Sequence, residues 1–461
     1  MFVGRERELS KIIRRIKQPG FKAILVYGRR RIGKTQLVKE ALSQVDIPSL
    51  SLLARDVDSK INLADFSLEA GNFMKISSFR PKDFYEFFSN LIEYSKSNPF
   101  VLFVDEYSFL KESAHSIDSS LQKAIEMHKD GANITIIICG SYVDVMARLV
   151  DYDAPLYGRF NEIIALRPFD YLDSGKFFPS CSLEDKFSYY AVFGGVAFNL
   201  TCLDQSLSFE ENLIESFVAP NSLFEGEAIL IAKKELEKAD KLNTIFELIT
   251  QGMNTYKKIS DFLGSDDKAS FLWYIKRLEA TDLIDKAYSL TDANKRKPIY
   301  RLKDKMLEFY YTFLFKHLSQ RELMTPEQFF VTYIKPKLYL DYLPRRFEEV
   351  VKEYAIRENG MKIPLFTDAG NIVYHGNIHG QKISREFDLV LKTDEGLIPI
   401  ECKYRKSPLT MADVHEEMQQ WDNLPFKVRQ YGFASRSGFD EEVRSRSDLL
   451  LIDMDDLYAI R

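Results

Sequence analysis

The eight residues from Gly28 to Thr35, GRRRIGKT, constrain this chain more than any other feature. They follow Ala23–Tyr27, a short apolar run that reads as a buried parallel strand. They run into Thr35–Leu42, which reads as a helix. Every fixed position of GxxxxGK[ST] is met in that strand, loop and helix context. Glycines let successive backbone N–H groups wrap an anion, and the helix N-terminus adds its positive end. Gly28, Arg29, Arg30, Arg31, Ile32, Gly33, Lys34, Thr35 and Gln36 are therefore expected to bind the phosphates of ATP. Lys34 would reach the β- and γ-phosphates, and Thr35 would offer its hydroxyl to Mg²⁺.

A second apolar run, Phe100–Leu110, contains Asp105-Glu106. It reads as a strand beside the phosphate loop, with Asp105 at its carboxyl end holding Mg²⁺ through water. Glu106 is placed as general base for the attacking water. A third run, Ile134–Ser141, ends on Ser141, which is either a γ-phosphate sensor or a plain turn serine. Arg159 follows Gly158 in a turn. Its guanidinium either reaches the γ-phosphate of its own or a neighbouring subunit, or is an ordinary surface group.

The 461 residues suggest about three domains of ~150 residues. With 45% hydrophobic and 28% charged residues, the composition is that of a soluble globular chain. No apolar run reaches the ~18 residues of a membrane helix. MFVGRERELSKIIRR has charge but no signal-peptide core. Cys139, Cys181, Cys202 and Cys402 form no CxxC pair, so they read as reduced cytoplasmic thiols. The net charge of −5 excludes a globally basic nucleic-acid binder and leaves only a local patch.

Lys241–Lys305 reads as three helices and a hairpin. Leu242, Ile245, Phe246 and Ile249 mark the first helix, and TYKKISDFLG stops at Gly264. Asp266 and Asp267 cap the third, which packs Phe271, Leu272, Ile275 and Leu278. A basic turn, Lys295-Arg296-Lys297, joins two strands. This is the pattern of a winged helix-turn-helix. Between Thr255 and Lys305, twelve Lys/Arg face eight Asp/Glu, an excess of four. That excess suits a DNA backbone and equally suits an ordinary solvated face or a protein-docking module.

Near the C-terminus, EFDLVLKTDEGLIPIECKYRK reads as a hairpin turning at Thr393–Gly396. Opposed positions then pair Phe387 with Cys402, Leu389 with Ile400 and Leu391 with Ile398, all on one face. The other face sets Asp388 against Glu401 and Glu386 against Lys403, ~5 Å apart. Two facing carboxylates repel unless a divalent ion, Mg²⁺ or Mn²⁺, sits between them. Lys403, on the same face, would position the attacking water and stabilise a pentavalent phosphate. A plain solvent face with a Glu386–Lys403 ion pair is the bland reading.

The N-terminal motifs resemble those of the archaeal-type STAND ATPases, a branch of the AAA+ class. Phe2-Val3-Gly4-Arg5-Glu6, GRRRIGKT, VDE (104–106), GS (140–141), PLYGR (155–159) and LRPF (166–169) occur in that family's order. FGGVAFNL (193–200) resembles its GGxPxYL sensor segment, with Ala197 in place of proline and Asn199 in place of tyrosine. YRLKDKMLEFYYTFL (300–314) looks like the aromatic helix that follows the wing in that family. QYGFASRSGFD (430–440) and LLLIDMDDLYAI (449–460) resemble its C-terminal strands and helix.

Asp388…Glu401-x-Lys403 resembles the signature of PD-(D/E)XK nucleases, whose restriction-endonuclease-like fold also calls for an acid on a preceding helix. PRRFEEVVKEYAIRENG supplies Glu348 or Glu349, and Glu348 matches the family's FE better. Glu348, Asp388 and Glu401 would then be the metal ligands, as Thr35 and Asp105 are in the ATPase half.

The resemblance implies an α/β chain. It would comprise a P-loop ATPase core (1–170), an all-helical lid (171–235), a winged helix (240–315) and a nuclease-like α/β domain (335–461). It implies an ATP-hydrolysing switch controlling a domain that binds or cuts nucleic acid, with DNA and a homo-oligomer formed on ATP binding as partners. The alternative is a non-enzymatic ATP-dependent signalling or scaffold protein with a silent nuclease fold.

Overall fold

The computed structural model describes residues 2–235, 239–264, 268–292, 297–378 and 381–459. The chain divides into two compact units. One is Met1–Pro168 with Val196–Phe198; the other is Phe169–Gly195 with Asn199–Arg461.

The first unit is an α/β fold around a five-stranded parallel sheet. Its strands are β1 (Lys22–Tyr27), β2 (Ser49–Leu53), β3 (Phe100–Asp105), β4 (Ile134–Gly140) and β5 (Glu162–Ala165), in the order β2-β3-β4-β1-β5. β3 and β4 are buried along their whole length, as strands covered on both faces must be. Alternation splits them between two apolar layers: Leu102, Val104, Ile136 and Ile138 in one, Val101, Phe103, Ile137 and Cys139 in the other. Helices α1 (Glu6–Ile16) and α2 (Lys34–Ser43) contribute Ile12, Ile16, Leu37 and Val38 to the second layer. Because the strands are parallel, Tyr27 pairs with Gly140 and Leu53 with Asp105 at one edge. The carboxyl ends of β1, β3 and β4 therefore open side by side. β4 lies between β3 and β1 in the sheet, and Asp105 at the carboxyl end of β3 nonetheless contacts Thr35 of the phosphate loop.

In the second unit, helices α3 (Ala239–Thr250), α4 (Tyr256–Leu263) and α5 (Lys268–Ala280) precede an antiparallel pair, β6 (Ile284–Ala287) and β7 (Ile299–Leu302). Thr255 caps α4 by accepting from the Lys258 N–H. Leu242, Ile245, Phe246, Ile249, Phe271, Ile275 and Leu278 are buried. Leu272, expected in the same stripe, is 44% exposed, because Phe271 and Ile275 already occupy the inward side. Asp266, Asp267, Lys295 and Arg296 lie outside the described residues.

Further along, helix α6 (Leu343–Arg357) packs on a second five-stranded sheet. That sheet comprises β8 (Asp368–Ile378), β9 (Gln381–Lys392), β10 (Leu397–Lys403), β11 (Gly432–Ser435) and β12 (Leu450–Asp453), in chain order across the sheet. β8 to β10 are antiparallel, and β10 to β12 parallel. Phe347, Val350, Val351 and Tyr354 form the buried stripe of α6. Helix α7 (Met411–Gln419), begun by a Thr410–Asp413 capping box, follows β10. Among the described residues no helix is long and apolar enough to cross a membrane.

The β9–β10 turn is the expected Thr393–Gly396, with Leu391 paired to Ile398 and Leu389 to Ile400. The expected Phe387–Cys402 rung is absent. On β9, Asp388 and Leu389 together oppose the single residue Asn371, since Gly370 pairs with Val390 and Ile372 with Phe387. Such a bulge resets the alternation of faces. Phe387 consequently packs with Val390, Ile372 and Trp421, its ring 3.9 Å from the Trp421 ring.

Candidate functional site

The phosphate-loop edge is built by backbone first. Gly28 has φ +154°, and a Cβ there would sit 2.4 Å from the Leu166 carbonyl oxygen and 2.5 Å from Ile32 Cδ1. Gly33 has φ +95° and starts α2. Both positions demand glycine. Arg31 also takes a left-handed conformation, φ 67°. Its guanidinium lies 4.2 Å over the Phe198 ring, and its carbonyl accepts from the Phe198 N–H at 3.2 Å. Ile32 anchors the loop in the core. Arg30 donates to the Tyr142 hydroxyl at 3.2 Å, while Gln36 is exposed on the first turn of α2.

Lys34 is buried, its Nζ donating to the carbonyls of Gly28 and Arg29 at 2.8 Å each. Burial lowers its pKa, opposed by nearby Cys139, Glu106 and Asp105. Thr35 Oγ1 donates to Asp105 Oδ2 at 2.7 Å, and Asp105 Oδ1 accepts the Glu106 N–H at 2.9 Å. Glu106 has φ 53°, turning its side chain from the strand end toward β4. There the Ser141 hydroxyl donates to Glu106 Oε1 at 2.8 Å. Among the described residues, buried Glu106 Oε2 has no hydrogen-bond partner. A buried carboxylate oxygen left open beside a phosphate loop suits a water or nucleotide oxygen bound there. Glycine cradle, ammonium, hydroxyl and two acids fit an ATP–Mg²⁺ group. Arg159 is engaged elsewhere, by the Glu126 carboxylate and by the Tyr157 carbonyl at 3.2 Å.

The C-terminal acids come from three elements of the second unit. Glu348 on α6 is half buried, and its pKa rises to about 8, from burial first and then from Asp388 and Glu401. Asp388, at the bulge, is exposed by area yet hemmed in closely enough that burial, then Glu386, raises its carboxyl. Burial also raises Glu401, opposed by Lys403. Lys403 Nζ lies 2.9 Å from Glu401 and 2.5 Å from Glu417 on α7. Burial alone would lower the Lys403 ammonium; these two partners raise it. Glu349, the other candidate on α6, belongs to a different network: Lys305 Nζ at 3.0 Å and Arg346 at 2.8 Å. Among the described residues no group of three His, Cys, Asp or Glu side chains stands close enough to hold a metal ion. β9 and β10 pair only as far as Leu389–Ile400. Glu401 then leans on Lys403. Glu417 escaped the sequence reading; the T-x-x-D capping box at 410–413 was the available signal for its helix.

Residues 2–201 match a family described as an ATPase domain predominantly from Archaea. Residues 310–417 match one described as archaeal and bacterial proteins of unknown function. An uncharacterized protein of Methanocaldococcus jannaschii is 26% identical over 463 aligned residues, 99% of this chain and 100% of the relative. An uncharacterized ATP-binding protein of the same organism is 40% identical over 52 residues, 11% of this chain and 88% of that protein. Among solved structures, the Walker-type ATPase of Pyrococcus abyssi is 18% identical with a TM-score of 0.49, covering 67% of this chain and 96% of its own. The ATPase family match, with the loop geometry, supports ATP binding and hydrolysis by the N-terminal unit.

Proposed function

We propose that this chain is a STAND-type AAA+ switch whose ATP cycle controls a C-terminal PD-(D/E)XK nuclease-like domain. The observation that carries the ATPase half is the Thr35–Asp105–Glu106–Ser141 chain of hydrogen bonds at the sheet edge. Lys34 binds the β- and γ-phosphates through its ammonium. Thr35 and Asp105 hold Mg²⁺, which neutralises charge on the phosphates. Glu106 takes the proton of the attacking water through its open oxygen, and Ser141 positions that carboxylate. An ATP-turnover assay on wild type and Glu106→Gln tests this. Hydrolysis at the same rate in both would sink the assignment.

In the C-terminal half, Asp388, Glu401 and Glu348 are the proposed metal ligands and Lys403 the positioning cation. Their support is the raised Glu348 carboxyl, held up by burial first and then by Asp388 and Glu401, a repulsion that a divalent cation would relieve. The ion supplies Lewis acidity at a phosphodiester. The domain limits 1–170, 171–235, 240–315 (the winged helix) and 335–461, cytoplasmic location, DNA as partner and ATP-driven self-association belong to the same proposal.

The second reading is a silent nuclease fold serving a signalling or scaffold ATPase. The absence of a three-ligand group among the described residues favours it. Cleavage assays with Mg²⁺ or Mn²⁺ on DNA and RNA separate the two. Activity lost in Glu401→Ala, with ATP turnover intact, supports the nuclease; no cleavage by wild type on any substrate supports the scaffold.

A further inference from the structure

The pairing of β6 with β7 stops at Ala287 and Ile299. The next four residues, Tyr288-Ser289-Leu290-Thr291, keep the two-residue alternation of a strand but leave their own hairpin. They run along β8, the edge strand of the second sheet. The Leu290 N–H donates to the Asn371 carbonyl at 2.9 Å, and the Ser289 hydroxyl donates to the same oxygen at 3.0 Å. The Thr291 hydroxyl donates to the Val373 carbonyl at 3.5 Å. Leu290 packs on the apolar cluster of Ile372, Phe387 and Trp421. Gly370 permits this approach: a Cβ there would meet the Tyr288 carbonyl oxygen at 3.3 Å and Leu290 Cγ at 3.5 Å. The open backbone of an edge strand is thereby covered.

Asn371 is the residue that opposes the β9 bulge at Asp388, and its side-chain amide donates to Glu386 at 3.3 Å. Residues 288–291 therefore dock where the bulge sets the direction of Asp388. Docking also carries β7 toward the acids. Arg301, opposite Asp285 on the hairpin, acts by its charge on Asp388 and Glu349, and Lys352 of α6 faces Asp285 and Asp368. The hairpin, α6, β8 and β9 wall a cavity of about 660 Å³ lined by seven acidic and six basic side chains. With the hairpin docked, the acids of this face are compensated by the protein's own cations. The contact that keeps it so is small. It consists of the three hydrogen bonds above and one half-buried leucine, and among the described residues no strand pairing joins 288–291 to β8. A contact of that size can open locally while both sheets stay folded.

We propose that residues 288–291 are an autoinhibitory strap: docked at Asn371, they hold the Arg301 guanidinium among the acids and close the Asp388 face, and their release opens it. What is inhibited rests on the nuclease-like reading of Asp388 and Glu348. The opening and closing of the strap does not.

Hydrogen–deuterium exchange and carbodiimide labelling of carboxyls, both read by mass spectrometry on the full chain, test the strap. In wild type, amides of 288–291 should exchange through a local opening, faster than those of 398–402 in the middle of the sheet. Leu290→Asp and Gly370→Val act on opposite sides of the contact, and each should release it. Exchange at 288–291 then rises, and Asp388 labels at least about tenfold faster, as expected where the open state was a tenth of the population or less. Leu290→Met keeps an apolar anchor and should match wild type. Unchanged exchange at 398–402 shows that the sheet is intact in each variant. Wild-type exchange at 288–291 as slow as at 398–402, or unchanged Asp388 labelling in both release variants, overturns the strap. Cleavage of labelled DNA and RNA in Mg²⁺ or Mn²⁺ then separates the two readings. The release variants should cleave about tenfold faster than wild type or more. Cleavage at the wild-type rate despite raised Asp388 labelling overturns the autoinhibitory role. No cleavage by wild type or by either release variant, with labelling raised, overturns the nuclease reading instead and leaves the strap in place.

Discussion

Thr35 and Asp105 meet at 2.7 Å although their elements are not neighbours in the sheet, since β4 runs between β1 and β3. The contact passes the end of β4, where Cys139 lies beside Asp105 and the next residue is Gly140. The first turn of α2 is thus tied to the acid that ends β3.

Lys34→Ala should lower ATP affinity about 10- to 100-fold, because a hydrogen bond to a charged group contributes roughly 1.5–3 kcal/mol. Isothermal titration with ATP and Mg²⁺ reads this directly. Thr35→Ser keeps the hydroxyl and should retain affinity, whereas Thr35→Ala should not. Wild-type affinity in Lys34→Ala would remove the loop from the nucleotide site.

Glu106→Gln should bind ATP as wild type does and slow single-turnover hydrolysis by about 10²–10⁴. Ser141→Ala deletes the donor that orients Glu106 Oε1. It should slow the same step less, and a shifted pH profile would mark it as a positioning residue. If Ser141→Ala changes ATP affinity and not the rate, it touches nucleotide rather than Glu106.

Arg159 pairs with Glu126 near the surface, a contact worth about 0–1 kcal/mol in such settings. Arg159→Ala should therefore barely change stability. As a γ-phosphate contact acting after release from Glu126, it should lower turnover by up to about 10³. Sedimentation with and without ATP assigns the contact to the same or a neighbouring subunit. Unchanged turnover would leave the pair purely structural.

Glu348 sets a pH dependence in the metal-free protein. Its carboxyl holds a proton up to about pH 8 in the fold, against an ordinary value of 4.5. Between these the folded state binds more protons than the unfolded one, so stability is full below the lower value and falls as pH rises. Denaturation midpoints measured in EDTA from about pH 5 to 9 should decline, and Glu348→Gln should flatten that decline. Parallel curves would show that neither burial nor the neighbouring acids raise the Glu348 carboxyl.

Tyr190 donates to both carboxylate oxygens of Glu353, at 2.9 and 3.1 Å. Tyr190→Phe keeps the ring and removes only the donor to this partly buried acid. The expected loss is about 1.5–3 kcal/mol of stability, read as a lower urea midpoint. A loss within about 0.5 kcal/mol would place water in the hydroxyl's role.

Contiguous residues determined the local pieces. GRRRIGKT fixed a glycine-turned loop between strand and helix because each constraint lies within one turn of chain. The pairing of Leu391 with Ile398 was legible for the same reason, a four-residue turn that leaves little choice of register. The stripe Phe347, Val350, Val351 and Tyr354 was readable from helical spacing alone. Tertiary structure decided the rest. The insertion of β4 between β3 and β1 depends on strand pairings between segments some thirty residues or more apart. The bulge at Asp388–Leu389 arises from pairing with β8, so alternation on β9 alone pointed Phe387 to the wrong face. Arg301 and Lys352 share a cavity because the segment after β6 bonds to Asn371, about eighty residues away in the chain. Local spacing encodes local geometry. Which faces meet is set by the burial of residues distant in sequence, and no pattern within one segment contains that information.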